Sequence, residues 1–255
     1  MNQKVAIAAQ RRLHQRLRTR ILAACSQAAE GEMADVAQDG VGDTMYVVDR
    51  VAEEVLVALV AEEFGDLLPL RLVAEGLEGG EVVVGAGLPK WVLIVDPIDG
   101  TRGLMHQKRP AWILSALAVE RGPATGLHDL ACAVQTEIPL LKQHLADQWW
   151  AEVGGGAAGE RWNRLNDERR PLAPRPSRAT GLEHGFSTIV RYFPGLRADL
   201  GRLDDALHAA LLGAPRSGKA LCFEDQYIST GGHLAEILAG HDRFIADLRP
   251  LLPGF

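Results

Sequence analysis

The sequence predicts an α/β chain whose first part is a mixed α+β domain, and three observations carry that reading. Apolar residues recur at helical spacing near the N-terminus, short β-rich apolar runs follow, and a Gly-, Pro- and Arg-rich stretch precedes a second set of strand and helix patterns. With 255 residues, 47% of them hydrophobic, the chain has enough apolar material for a real core in one large or two smaller domains.

The first helix is expected from about Val5 to Glu30, where Ala8, Leu13, Leu17, Ile21 and Leu22 form an apolar stripe. Arg11, Arg12, Arg16, Arg18 and Arg20 then read as a solvated basic face. A second helix runs from about Val48 to Phe64, with Val51, Val55, Leu56, Leu59 and Val60 among acidic residues, and stops at Gly65. The period then changes. Leu70 to Ala74 and Trp91 to Val95 read as buried strands that lead into acidic residues, Ala111 to Val119 as a third strand and Ala131 to Thr136 as a fourth. Leu140 to Trp150 reads as helix or loop, and Gly154 to Arg178 as a loop followed by a linker. These patterns place a boundary near residue 175, giving domains 1–175 and 176–255. The second domain is expected to hold a strand around Phe186 to Arg191 and helices from about Gly195 to Leu212 and Gly231 to Ala239.

The charge balance, 27 Lys+Arg against 33 Asp+Glu for a net −6, argues against a nucleic-acid polymer or an anionic membrane as partner. An anionic small molecule would need locally supplied cations. Cys25, Cys132 and Cys222 are widely spaced and odd in number, so neither a disulfide framework nor a zinc site is suggested. No apolar run approaches the ~18 residues of a membrane span, and no signal-type stretch follows the N-terminal arginines, so the expected location is cytoplasmic.

The most informative segment is Trp91-Val92-Leu93-Ile94-Val95-Asp96-Pro97-Ile98-Asp99-Gly100-Thr101. A hydrophobic strand delivers Asp96 to its carboxyl end, Pro97 is expected to stop the ladder, and Asp99-Gly100-Thr101 turns the chain. Two carboxylates held together there suit a hard divalent cation such as Mg²⁺, since they would otherwise repel each other. The Gly100-Thr101 amides are candidates for holding a phosphate, the more so if a helix begins there. An ordinary capped turn uses the same residue types. What raises the chemical reading above it is that Glu75 ends another strand and Asp49 opens the acidic helix, so separate element ends can present acids to one place.

The string Asp96-Pro97-Ile98-Asp99-Gly100-Thr101, with Glu75 in Val73-Ala74-Glu75-Gly76 and Asp49 in Val48-Asp49-Arg50-Val51-Ala52-Glu53, resembles the inositol monophosphatase family of Mg²⁺-dependent, lithium-sensitive sugar phosphatases. Fructose-1,6-bisphosphatase and bisphosphate nucleotidase belong to the same superfamily. A haloacid-dehalogenase-type site is disfavoured, because its aspartates are two positions apart and Asp96 and Asp99 are three apart. The resemblance implies a layered α-β-α-β-α sandwich and a phosphomonoesterase acting on a small phosphorylated polyol, sugar or nucleotide by direct attack of a metal-activated water. It further implies two or three Mg²⁺ ions, inhibition by Li⁺ and a homodimer. In that reading Glu75, Asp96, Asp99 and the carbonyl of Ile98 hold metal, while Glu75, Thr101 and Asp49 act on the water. Gly100, Thr101 and Arg102 hold phosphate.

The sequence departs from the family pattern in four places. Gly76 replaces a second acid after Glu75. Arg102-Gly103-Leu104 replaces the common Thr-Asn-Phe, and with His106, Lys108 and Arg109 it forms a cation cluster suited to substrate contact. Ser229 to Phe244 looks like the family's small-residue helix and following strand, read as packing, with His233 a partly buried or surface residue and Asp225 near the substrate-reading region. Finally, the segment carrying the family's last metal-binding aspartate has no counterpart before Phe255, and Asp225, Asp242 or Asp247 would replace it only by rearrangement. The C-terminal domain is therefore expected to be truncated. The alternative function is a truncated or non-catalytic metal- or phosphate-binding member of the family. A nucleotide switch has no support, since no Gly-x-x-x-x-Gly-Lys-Ser/Thr loop is present.

Overall fold

The computed structural model describes residues 3–27, 36–39, 44–214 and 217–251; the side chains of residues 36–39, 44–51 and 54 lie outside that description. The chain falls into two compact units, residues 1–173 and 174–255.

In the first unit, helices α1 (Gln3–Gln27) and α2 (Val47–Glu63) pack on one face of an eight-stranded sheet. A small hairpin, β1 (Val36–Asp39) with β2 (Thr44–Tyr46), lies between the two helices in sequence. The sheet strands are β3 (Leu70–Ala74), β4 (Glu81–Val84), β5 (Trp91–Asp99), β6 (Ala111–Val119), β7 (Leu130–Ile138), β8 (Leu145–Glu152), β9 (Gly156–Asn163) and β10 (Glu168–Leu172). Their spatial order is β10-β9-β8-β7-β6-β5-β3-β4. Only β3 and β5 pair in parallel, with Leu70 opposite Trp91 and Ala74 opposite Val95; the other neighbours are antiparallel.

Helical periodicity explains the core. Ala6, Leu13, Leu17 and Ile21 of α1 and Ala52, Leu56, Leu59 and Val60 of α2 are buried against Leu72, Leu93, Val95, Ile113 and Val134 of the sheet. Arg12 and Arg20 of α1 are exposed as expected, but Arg11 and Arg18 do not belong to the solvated face. Arg18 is buried and lies 4.3 Å from the centre of the Trp162 ring, while Arg11 lies 3.9 Å from that of Trp150 and bonds Gln148 and Glu160. Burial, with Arg169 nearby, lowers the Arg18 pKa to about 10. The tryptophans that cover these stems sit on β8 and β9, which is why α1 alone gave the wrong surface.

Two segment assignments need correction. Leu140 to Trp150 is neither helix nor loop at its end, because Leu145 onward forms β8; Gly154 to Arg178 contains β9 and β10. Gly159 explains the misleading composition, since a Cβ there would stand 2.6 Å from Cε3 of Trp149 and 2.9 Å from the Gln148 carbonyl. A glycine here marks close approach rather than a loop. Pro171 is tolerated because β10 is the edge strand. Nor does Pro97 stop the ladder. β5 continues to Asp99 through a bulge.

The second unit pairs β11 (Phe186–Ile189) in parallel with β12 (Asp242–Ala246), with α4 (Arg197–Leu212) against β11 and α5 (Thr230–Ala239) against β12. In chain order the short helix α3 (Thr101–Met105) precedes them, in the first unit. Ser229 caps α5 by accepting from the Gly232 amide at 2.8 Å, and Gly240 ends it in the left-handed region. Gly232 faces the Tyr227 ring in the space a Cβ would need, so the small residues here serve packing.

A buried polar chain joins α1 to the sheet. Gln148 Nε2 donates to Thr136 Oγ1 (2.8 Å), Ser115 Oγ donates to Gln10 Oε1 (2.7 Å), and Gln10 Nε2 donates to Cys132 Sγ (3.1 Å). His14, fully buried, bridges the two halves through Nδ1 to Thr136 Oγ1 (2.9 Å) and Nε2 to Ser115 Oγ (2.8 Å). Because the Ser115 proton is committed to Gln10, the Nε2–H form of a neutral His14 donates to Ser115 and accepts from Thr136. Burial, with the charge of Arg18, lowers the His14 pKa to about 3. The folded imidazole stays neutral between pH 6.5 and 3, whereas the unfolded one gains a proton, so this stability is present above pH 6.5 and is lost as pH falls toward 3. The loss is at most about 5 kcal/mol. Glu137, raised by burial to about 7, acts in the opposite direction, losing its contribution as pH rises through 7. His14→Gln should therefore fall less steeply in stability than the parent between pH 6.5 and 4.5. Urea unfolding at stepped pH reads that slope; parallel curves would contradict the assignment.

Candidate active site

The site starts from register. Ala74 pairs with Val95 in the parallel β3–β5 ladder, so the next residues, Glu75 just past the end of β3 and Asp96 within β5, stand at the same level on adjacent strands. Neighbouring strands lie about 4.8 Å apart, so the two acids stem from backbone only one strand spacing apart. Ala74 and Val95 beneath them are in the core, which fixes the level at which the acids emerge.

Beyond Asp96 the strand bulges. Asp96 opposes Leu114 and Asp99 opposes Trp112, so three steps on β5 match two on β6. The extra residue accommodates Pro97, which has no amide proton for the ladder. Asp96 Oδ1 accepts from the Ile98 amide at 3.1 Å, a local turn bond that holds the carboxylate against its own backbone. The Ile98 side chain is buried in the core and so anchors a loop that is otherwise polar. Thr101 Oγ1 donates to the Ile98 carbonyl at 2.9 Å. Gly100 takes φ 95° and ψ 26°, a left-handed conformation that suits glycine, and starts α3. Leu104 and Met105, both buried, pin that short helix to the core.

The cation loop folds back on this turn. Lys108 and Arg109 amides both donate to the Gly103 carbonyl, at 2.9 and 3.3 Å. Gln107 clamps the loop: its Nε2 donates to the Leu104 carbonyl and its Oε1 accepts from the Leu141 amide, both at 2.9 Å. Its φ of 49° is the strained backbone that this clamp holds. His106, Lys108 and Arg109 are exposed and Arg102 half-buried, so the loop presents positive charge beside the Asp96–Thr101 turn. Gln107 has no sequence signature beyond its place in the basic loop.

Of the predicted residues, Glu75, Asp96, Ile98, Asp99, Gly100, Thr101 and Arg102 share one corner of the first unit: the carboxyl ends of β3 and β5 and the turn into α3. Asp49 lies in α2, but its side chain is outside the described residues. One helical turn later, the Glu53 carboxylate occupies the space that a Cβ on Gly76 would need. In the sequence Gly76 stands as a lost acid, and Glu53 closes the Val48–Glu53 string with no role of its own assigned. The signal was there in its i, i+4 relation to Asp49.

The acids weighed as replacements in the second unit have other engagements. Arg249 binds Asp247 at 2.5 Å and holds its pKa below the usual carboxylate range. Asp242 is buried, 3.9 Å from Nδ1 of His233. Asp225 accepts through its main-chain carbonyl from Thr188 Oγ1 at 3.3 Å. His233 is fully buried rather than partly exposed, packed against Tyr227.

The donor chemistry around β3 and β5 fits Mg²⁺: carboxylates of Glu75, Asp96 and Asp99 and the Ile98 carbonyl are all hard oxygens. Among the described residues no group of three or more Asp, Glu, His or Cys side chains is arranged to hold a metal ion. Mg²⁺ does not require one, since it is bound by one or two carboxylates with water and phosphate oxygens completing its shell. The described residues include no helix long and apolar enough to cross a membrane.

Several solved structures share this fold. The extragenic suppressor protein suhB from Bartonella henselae superposes with a TM-score of 0.64 at 19% identity, over 94% of this chain and 77% of that one. Leishmania major fructose-1,6-bisphosphatase in holo form gives 0.63 at 12% identity, over 92% and 71%. The Thermotoga maritima IMPase gives 0.58 at 21% identity, over 95% and 75%. No curated protein sequence matches the chain. At these identities the structural likeness speaks for the fold. The sequence profile of the inositol monophosphatase family matches residues 2–167, a span that holds the whole corner described above, and the chain belongs to that family.

Proposed function

We propose that the chain is a Mg²⁺-dependent phosphomonoesterase that releases phosphate from a small phosphorylated polyol, sugar or nucleotide. Family membership supports phosphatase chemistry in general. The observation that carries the finer reading is the level pairing of Glu75 and Asp96 beside the bulged Asp96–Thr101 turn.

Asp96, Asp99, Glu75 and the Ile98 carbonyl would hold Mg²⁺, which when bound neutralises charge on phosphoryl oxygens and makes water more acidic. The chain's own groups do the rest. Glu75 accepts the proton of the attacking water on its carboxylate, with the Thr101 hydroxyl, already aimed at the Ile98 carbonyl, orienting it. The Gly100 and Thr101 amides and the Arg102 guanidinium receive the phosphate, whose negative charge suits donors at a turn into a helix. The exposed His106, Lys108 and Arg109 attract the anionic substrate. Catalysis by positioning and charge needs no covalent enzyme intermediate. By family likeness, Li⁺ inhibits, the protein works in the cytoplasm, and two copies associate.

Phosphate release from inositol monophosphate, fructose bisphosphate and adenosine bisphosphate, assayed with Mg²⁺ and with chelator, tests this reading. Activity should require Mg²⁺, and Asp96→Asn should lower it by about a hundredfold or more. Because Asn keeps an acceptor for the Ile98 amide, its melting temperature should match the parent's. Activity that persists in chelator or in Asp96→Asn would refute the proposal, and phosphate binding without turnover would instead identify a non-catalytic binder. Arg102→Ala should raise KM about tenfold with a smaller change in kcat, the result of losing a charged phosphate contact. A pure kcat loss would place Arg102 elsewhere in the mechanism.

A further inference from the structure

We propose that Glu53 is a positioning carboxylate of the β3–β5 site, contributed by α2 in place of a side chain on Gly76; the proposal rests on the Mg²⁺ reading above. The argument begins with Gly76, which follows Glu75 and has φ 80°. Beside it, the volume a Cβ would fill is taken by Cδ and both carboxylate oxygens of Glu53. A side chain at residue 76 would strain the left-handed backbone and displace the Glu53 carboxylate from its seat. The glycine therefore leaves room for an acid brought from a different element.

Electrostatics gives that placement a purpose. Glu53 is half-buried and sits over the backbone adjoining Glu75, which in turn is level with Asp96. A carboxylate placed beside Glu75 adds negative charge that favours a divalent cation at the corner. A carboxylate at this distance from the direct ligands also restricts where Glu75 can go, the role that outer groups play around metal ligands. Ala52 and Leu56, which flank Glu53 on α2, are buried in the core, so the helix cannot carry the carboxylate away without opening the unit.

Glu53→Gln keeps the shape and removes the charge. Calorimetric titration of the whole protein with Mg²⁺ should show affinity weakened by about ten- to a hundredfold. In chelator the variant should melt at about the same temperature as the parent, since Gln keeps the shape of the side chain, and its Mg²⁺-induced rise in melting temperature should shrink. Its activity should recover as Mg²⁺ is raised, whereas Asp96→Asn should not recover. Mg²⁺ affinity within twofold of the parent overturns the proposal. So does a lower melting temperature in chelator, which would make Glu53 a structural residue. A parent protein that binds no Mg²⁺ overturns the phosphatase reading as well; a parent that binds Mg²⁺ and hydrolyses substrate, beside a Glu53→Gln variant that matches it, removes only the role of Glu53.

Discussion

The parallel pairing of β3 with β5 is the constraint on which the rest of the first unit depends. It is the one parallel step in an otherwise antiparallel sheet, and it brings Glu75, just past the end of β3, level with Asp96 near the carboxyl end of β5. An antiparallel pair would send Glu75 and Asp96 to opposite edges. A slip of one residue would turn Ala74 and Val95 out of the core and the acids into it. Burial of Leu70, Leu72, Leu93 and Val95 under α1 and α2 therefore fixes the acid level as firmly as it fixes the fold.

Gathering like charges is unfavourable, so the corner needs apolar anchors close by. Ile98, Leu104 and Met105 supply them: Ile98 stands next to Asp99, Leu104 and Met105 follow Arg102 within the same short helix, and each is buried. Fully burying a side chain of this size contributes roughly 1.5–3 kcal/mol. That exceeds the roughly 1 kcal/mol expected from a local bond such as that between the Ile98 amide and Asp96. The polar geometry of the turn is thus set from below by core packing, with hydrogen bonds refining it.

Much of this was legible in the sequence because it is local. The Trp91–Thr101 segment carries its own strand, turn and helix start, though not the bulge that lets β5 pass Pro97, and the apolar stripes of α1 and α2 carry their own period. What escaped depends on partners far along the chain. The arginines of α1 look solvated until Trp150 and Trp162 are placed beside them, and the glycines of β9 look like a loop until Trp149 is seen over Gly159. Glu53 belongs to the same class, because a glycine reads as an absence until the residue that fills its space is known.

The charges of the corner complete the argument about net acidity. A chain of formal charge −6 is a poor attractor of phosphate, and acids clustered at β3 and β5 make that corner poorer still. Arg102 to Arg109 answers this through the backbone: α3 is too short to carry the chain away, and the Lys108 and Arg109 amides return to Gly103. Gln107 then ties the loop to the β7–β8 connection, which fixes the path of the backbone that carries the cations. Acids and bases thus stand a few residues apart in fixed order at one corner, an arrangement whose mixed charge suits an anion that arrives with its counter-ion.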